Sequence, residues 1–152
     1  MAGVAQMANS EPASTVPGAA PASPRRCVLI VEDNALNMKL FTAMIASQGH
    51  IVLQAGDGRA ALDLARQGHP DLIIMDLQLP DMSGLDVTRI LKAEPETRDI
   101  AIIATTAYAL RGDEEKIRAS GCDGYMAKPI AVSEFLGLIE SLIARPPPAS
   151  SA

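Results

Sequence analysis

Short continuous apolar runs punctuate the chain: CVLIVE (27–32), HIVLQA (50–55), DLIIMD (71–76), IAIIAT (100–105) and the shorter GYMAK (124–128). Unbroken runs rich in Ile, Val and Leu suit strands covered on both faces, as in a parallel sheet. Between them the period changes. Segments 35–47, 58–67, 84–93, 109–119 and 132–144 place apolar residues at helical spacing. Gly49, Gly68 and Gly121 stand where three of these helices should stop. Five strands alternating with five helices make a βαβ series. Right-handed crossovers then give an α/β, doubly wound parallel sheet.

The ends read differently. Residues 1–24 are dominated by Ala, Ser and Pro, and offer little to bury, so this extension is expected to be disordered. Residues 146–152 read as a short tail of the same kind, leaving 25–145 as the folded domain. That division leaves no room for a separate output domain. Residues 1–24 also lack the charged start and apolar run of a secretory signal.

Composition narrows the function. The 152 residues carry a formal net charge of −5, which argues against nucleic acid as a partner. No apolar run of about 20 residues exists, so membrane insertion is not expected. Aromatics make up only 3% of the chain, so the core must be aliphatic. Cys27 and Cys122 form no metal or redox motif and are read as buried thiols of a reducing, cytoplasmic setting. His50 and His69 are read as structural or solvent-facing.

In a sheet of this class ligands bind beyond the carboxyl ends of the strands. Glu32 and Asp33 follow the first run, Asp76 ends the third, Thr105 and Thr106 follow the fourth, and Lys128 with Pro129 ends the fifth. Three gathered carboxylates repel one another, and a hard divalent cation such as Mg²⁺ offsets that repulsion. Asp33 and Asp76 are the expected direct ligands. Glu32 would act directly or through water, and the Gln78 backbone carbonyl could add another oxygen. Lys128 supplies a second positive charge. A carboxylate so flanked can act as a nucleophile toward phosphorus, with Thr106 holding a phosphoryl oxygen. Each piece alone has a plainer reading: an acidic pair is often a solvated turn, and Asp33 or Asn34 would serve as a helix cap.

Together, VLIVEDN (28–34), LIIMDLQLPDMSGLD (72–86), IIATTAY (102–108) and GYMAKPI (124–130) resemble the receiver domains of two-component response regulators. The resemblance covers roughly residues 26–144. It implies a flavodoxin-like strand order 2-1-3-4-5 and Mg²⁺ as cofactor. It casts Asp76 as phosphoryl acceptor, Glu32, Asp33, Asp76 and the Gln78 carbonyl as metal ligands, and Lys128 as the phosphate-contacting lysine. Thr106 and Tyr125 match the switch pair, Thr105 is left a structural role, and the Lys128–Pro129 bond is expected to be cis. Glu rather than Asp at 32 departs mildly from the pattern and puts direct metal contact there in doubt. Gln78 and Tyr108 would border the path of the hydrolytic water.

The runs VEDNALNMKLF and TTAYALRGDEEKIRASGC further resemble the small cell-cycle receivers of alphaproteobacteria, of the DivK type. The expected partners are a histidine kinase or histidine phosphotransferase upstream and a kinase or adaptor protein downstream. A homodimer of the phosphorylated form stays open. In related receivers the first helix meets the kinase, making Leu36 and Met38 candidate contacts.

A haloacid-dehalogenase-like phosphohydrolase would need an aspartate where Gln78 stands. A degenerate receiver would have lost part of the set Asp33, Asp76, Thr106 and Lys128. A P-loop nucleotide binder would need a glycine-rich loop before Lys-Ser or Lys-Thr, which is absent.

Overall fold

The structure is a computed structural model that describes residues 25–107 and 113–143. The expected terminal extensions and residues 109–112, read above as the start of the fourth helix, lie outside the described residues. The elements run β1 Cys27–Val31, α1 Ala35–Ala46, β2 Ile51–Ala55, α2 Gly58–Gly68, β3 Leu72–Asp76, α3 Gly84–Ala93, β4 Ala101–Thr106, α4 Asp113–Ala119, β5 Gly124–Ala127 and α5 Val132–Ile143. All neighbouring strands pair in parallel, in the order β2-β1-β3-β4-β5. The five apolar runs are thus the five strands.

The pleat divides the core in two. Val28, Ile30, Leu72, Ile74 and Ile103 face Phe41 and Ile45 of α1 and Phe135 and Ile139 of α5. Leu29, Val31, Ile73, Met75 and Ile102 face Ala61 and Ala65 of α2 and Val87 and Leu91 of α3. The chain's two phenylalanines, Phe41 and Phe135, meet at a centroid distance of 5.3 Å and so tie α1 to α5. With so few aromatics, this pair is the largest packing unit of that layer.

All three glycines stand at helix ends, Gly68 as the last residue of α2. Gly49 and Gly121 take positive φ, at 86° and 100°, and after Gly68 the left-handed residue is His69, with φ 45°. Two expectations need correction. The cysteines are half-buried rather than buried. Cys27 opens β1 at the sheet's amino rim, and Cys122 lies in the turn before β5. β2 is an edge strand rather than a covered one: Ile51 and Gln54 are exposed.

Candidate functional site

The carboxyl ends of β1, β3 and β5 bring Glu32, Asp33, Asp76 and Lys128 together. Ligand oxygens of Glu32, Asp33 and Asp76 all lie within 4.8 Å of one another. Glu32 and Asp76 are buried, at 3% and 2% exposure, while Asp33 is exposed. Lys128, the residue after β5, places its Nζ 3.0 Å from Glu32 Oε1 and 3.4 Å from Asp76 Oδ2. It stands between two carboxylates as their shared counter-ion. Its bond to Pro129 is cis.

Local hydrogen bonds fix these groups. Glu32 Oε2 accepts the Asn34 N–H at 3.1 Å, so both its oxygens are engaged. Asn34, not Asp33, caps α1, its side chain accepting the Asn37 N–H at 2.9 Å, which leaves Asp33 facing water. Asp76 Oδ1 accepts the Gln78 N–H at 3.0 Å. Gln78 itself bridges to Ser83, and the main-chain bond of that bridge runs from Gly84 N–H to Leu77 C=O at 3.1 Å. The Gln78 N–H is thereby left for the Asp76 carboxylate. Burial pushes the Asp76 carboxyl up to about 6. The Gln78 bond opposes the rise, the Glu32 charge adds to it, and Lys128 opposes it.

Two neighbours of this loop lie within the 72–86 segment but are not singled out there. Gly84 packs against the main chain of Asp76 and Leu77, where a β-carbon would lie 2.8 Å from Leu77 Cα and collide with the Asp76 carbonyl oxygen. Asp81 accepts the Gly58 and Arg59 N–H groups at 2.8 and 3.0 Å, fastening the β3–α3 loop to the start of α2. These bonds, that of Gly58 foremost, hold the Asp81 carboxyl below its usual range. A contact spanning 23 residues of chain leaves no local pattern to read.

Thr105 and Thr106 close β4 and are both buried. The Thr106 carbonyl accepts the Lys128 N–H at 2.7 Å, which binds the ends of β4 and β5 together. Tyr125 is half-buried on β5. Partial burial raises its phenol, and the nearby Glu114 carboxylate on α4 raises it further. Tyr108 lies outside the described residues.

Beside the site, α1 exposes Leu36 (65%) and Leu40 (55%), and α5 exposes Val132 (53%). Of the two candidate contacts, Leu36 is exposed and Met38 packs against the core, the alternative open to either. A cavity of about 540 Å³ is lined by Leu40, Phe41, Met44, Pro129 and Val132, and reaches Lys128.

The donor set fits a hard cation. It is all oxygen, and three carboxylates, two of them buried, face one ammonium, so negative charge remains uncompensated. Among the described residues no helix is long and apolar enough to cross a membrane.

Comparison with known proteins agrees with this geometry. The family described as "Response regulator receiver domain" matches residues 28–140. Polar-differentiation response regulators DivK of Brucella ovis and Brucella anthropi are each 52% identical over 118 residues, covering 78% of this chain and 96% of theirs. Among solved structures, the receiver domain of the sensor histidine kinase PA1611 from Pseudomonas aeruginosa PAO1 superposes with a TM-score of 0.74 at 36% identity. That match covers 80% of this chain and 99% of the other, and the structure has magnesium coordinated in the active-site cleft. The receiver domain of a signal transduction histidine kinase from Syntrophus aciditrophicus gives 0.73 at 27% identity, covering 78% and 90%.

Proposed function

The chain belongs to the response regulator receiver family, close to the DivK proteins, and on that footing we propose that Asp76 accepts a phosphoryl group in a Mg²⁺-dependent reaction. The observation that carries this reading is the convergence of Asp76, Asp33 and Glu32 on one oxygen-lined site with Lys128 between two of them. Asp33, Asp76 and the Gln78 carbonyl would hold the cation, with Glu32 reaching it through water because both its oxygens are already engaged. Bound there, Mg²⁺ supplies positive charge opposite the oxygens of a transferring phosphoryl group.

The chain's own residues do the rest. The Gln78 N–H holds Asp76 Oδ1, fixing the carboxylate plane and leaving Oδ2 turned toward Lys128. A carboxylate oxygen forms the new P–O bond while the P–N bond of a phosphohistidine breaks. The imidazole leaves with the bonding electron pair and keeps the proton on its other nitrogen. Lys128 follows the negative charge outward onto the phosphoryl oxygens. Thr106 then turns its hydroxyl toward one of those oxygens.

Receivers of this family take their phosphoryl group from histidine kinases. For this chain we assign the docking of a kinase or histidine phosphotransferase to the apolar surface of Leu36, Leu40 and Val132 beside the site. The output face comprises α4, β5 and α5. Inward movement of Thr106 vacates space that the Tyr125 ring fills. The change is a shift between two existing states. A downstream kinase or adaptor would read it, in a cytoplasmic pathway of cell division like that implied by the DivK likeness. Incubation with acetyl phosphate and Mg²⁺ followed by intact mass and peptide mapping tests the acceptor assignment. One added phosphoryl group, on Asp76, is expected.

A further inference from the structure

Thr105 is fully buried, and its hydroxyl has no hydrogen-bond partner among the described residues. Buried hydroxyls are almost always partnered, because an unpaired one forfeits its bonds to water. The position of this one gives the vacancy meaning. Thr105 is the register partner of Asp76 across the β3–β4 ladder and of Met126 across β4–β5. Ile103, two residues earlier, packs with Ile74 and Phe135 in the α1–α5 layer, so the pleat turns Thr105 to that face. Asp76 and Glu32 share it, each two residues beyond Ile74 and Ile30 of the same layer. Thr105 therefore lies between Asp76 and the strand that delivers Lys128. Thr106 has the opposite parity, that of Ile102 in the other layer.

The geometry points to Thr105 as a hydrogen-bond donor to Asp76 once Asp76 is phosphorylated. The inference rests on Asp76 being the acceptor. In the unphosphorylated state Oδ1 is held by Gln78 and Oδ2 by Lys128. Phosphorylation turns one carboxylate oxygen into the bridging oxygen of the acyl phosphate and moves negative charge onto the phosphoryl group. Lys128 follows that charge, and the acyl group of Asp76 loses its ammonium partner. Thr105 is an unengaged donor on the adjacent strand and the same face, and rotation of one side-chain torsion redirects its hydroxyl. The residue is then badly served in the resting state and well served in the phosphorylated one, which biases the equilibrium between them.

The test uses the full chain with Mg²⁺, beryllofluoride as phosphoryl mimic, and the variants Thr105→Val and Thr105→Ser. Valine keeps the shape and removes the hydroxyl. Thr105→Val is expected to melt above wild type without the mimic, yet to bind beryllofluoride about fivefold to tenfold more weakly, as one lost hydrogen bond implies. Its acyl phosphate, formed from acetyl phosphate, should be shorter-lived, and Thr105→Ser should restore both properties. If wild type binds beryllofluoride and Thr105→Val binds it equally well, Thr105 is a structural residue and the inference is overturned. If wild type itself neither binds beryllofluoride nor takes label, the acceptor reading falls and this inference with it.

Discussion

Gly84 lies against the backbone of Asp76 so closely that a β-carbon at 84 would collide with the Asp76 carbonyl oxygen. The opposing atoms are main chain, so no side chain can swing aside. Gly84→Ala should therefore displace the β3–α3 loop and cost about 1–3 kcal/mol of stability, as overpacking does. Because that loop carries the Gln78 N–H to Asp76, Mg²⁺ affinity should fall as well. Thermal melts with and without Mg²⁺ check both effects.

Lys128 neutralises Glu32 and Asp76 together. Its removal should move two properties in opposite directions. Lys128→Ala leaves a more negative site, so Mg²⁺ should bind more tightly. Phosphoryl transfer should slow by an order of magnitude or more, because the charge on the transferring oxygens loses its lysine. Calorimetric Mg²⁺ titration and the rate of label uptake from acetyl phosphate separate the two. Weaker Mg²⁺ binding in the variant would contradict the charge argument.

The pH dependence follows from the sign of the Asp76 shift. Its carboxyl is pushed from 3.8 to about 6 in the metal-free fold. The folded state thus keeps a proton that the unfolded state has released, and stability falls as pH rises through this window. Above about pH 6 the full penalty is present, roughly 3 kcal/mol at most. Asp76→Asn should accordingly melt above wild type at pH 7.5 without Mg²⁺, and the two should converge below about pH 4. A gain that persists unchanged at pH 4 would show that it has another origin.

On the output side, Tyr125 is half-buried on β5, and nearby Glu114 pairs with Arg118 at 3.1 Å. Glu114→Ala should remove a neighbouring charge while leaving the response of partner affinity to phosphorylation in place. Tyr125→Ala should uncouple partner binding from phosphorylation altogether. Affinity for a downstream partner, measured with and without beryllofluoride, is the readout.

Charge placed at Leu36 or Leu40, as in Leu40→Glu, should slow transfer from a histidine kinase while sparing reaction with acetyl phosphate. Both side chains are more than half exposed, so the fold should tolerate the change. Equal slowing with both donors would indicate damage to the site rather than to a docking surface.

Much of this was legible in the sequence because the controlling patterns are local. Strands buried on both faces must be continuous apolar runs, and β3 and β4 are buried at every position. Strand ends in a parallel sheet share one edge, so Glu32, Asp33, Asp76 and Lys128 could be grouped before any coordinates. What stayed hidden depends on contacts between distant segments. That Asp81 holds α2, that the left-handed turn after α2 falls to His69, and that Met38 rather than Leu40 goes inward are all decided by packing. Thr105 and Thr106 are chemically identical neighbours, and the layers into which Ile103 and Ile102 pack tell their faces apart.

The most direct test of the account is incorporation of phosphate from acetyl phosphate, in Mg²⁺, into wild type and Asp76→Asn compared side by side by mass. Wild type should gain one phosphoryl group, mapped to Asp76 and lost on chelation of the metal before the reaction, and Asp76→Asn should gain none. Full incorporation in Asp76→Asn, or none in wild type with Mg²⁺ in excess, would contradict it.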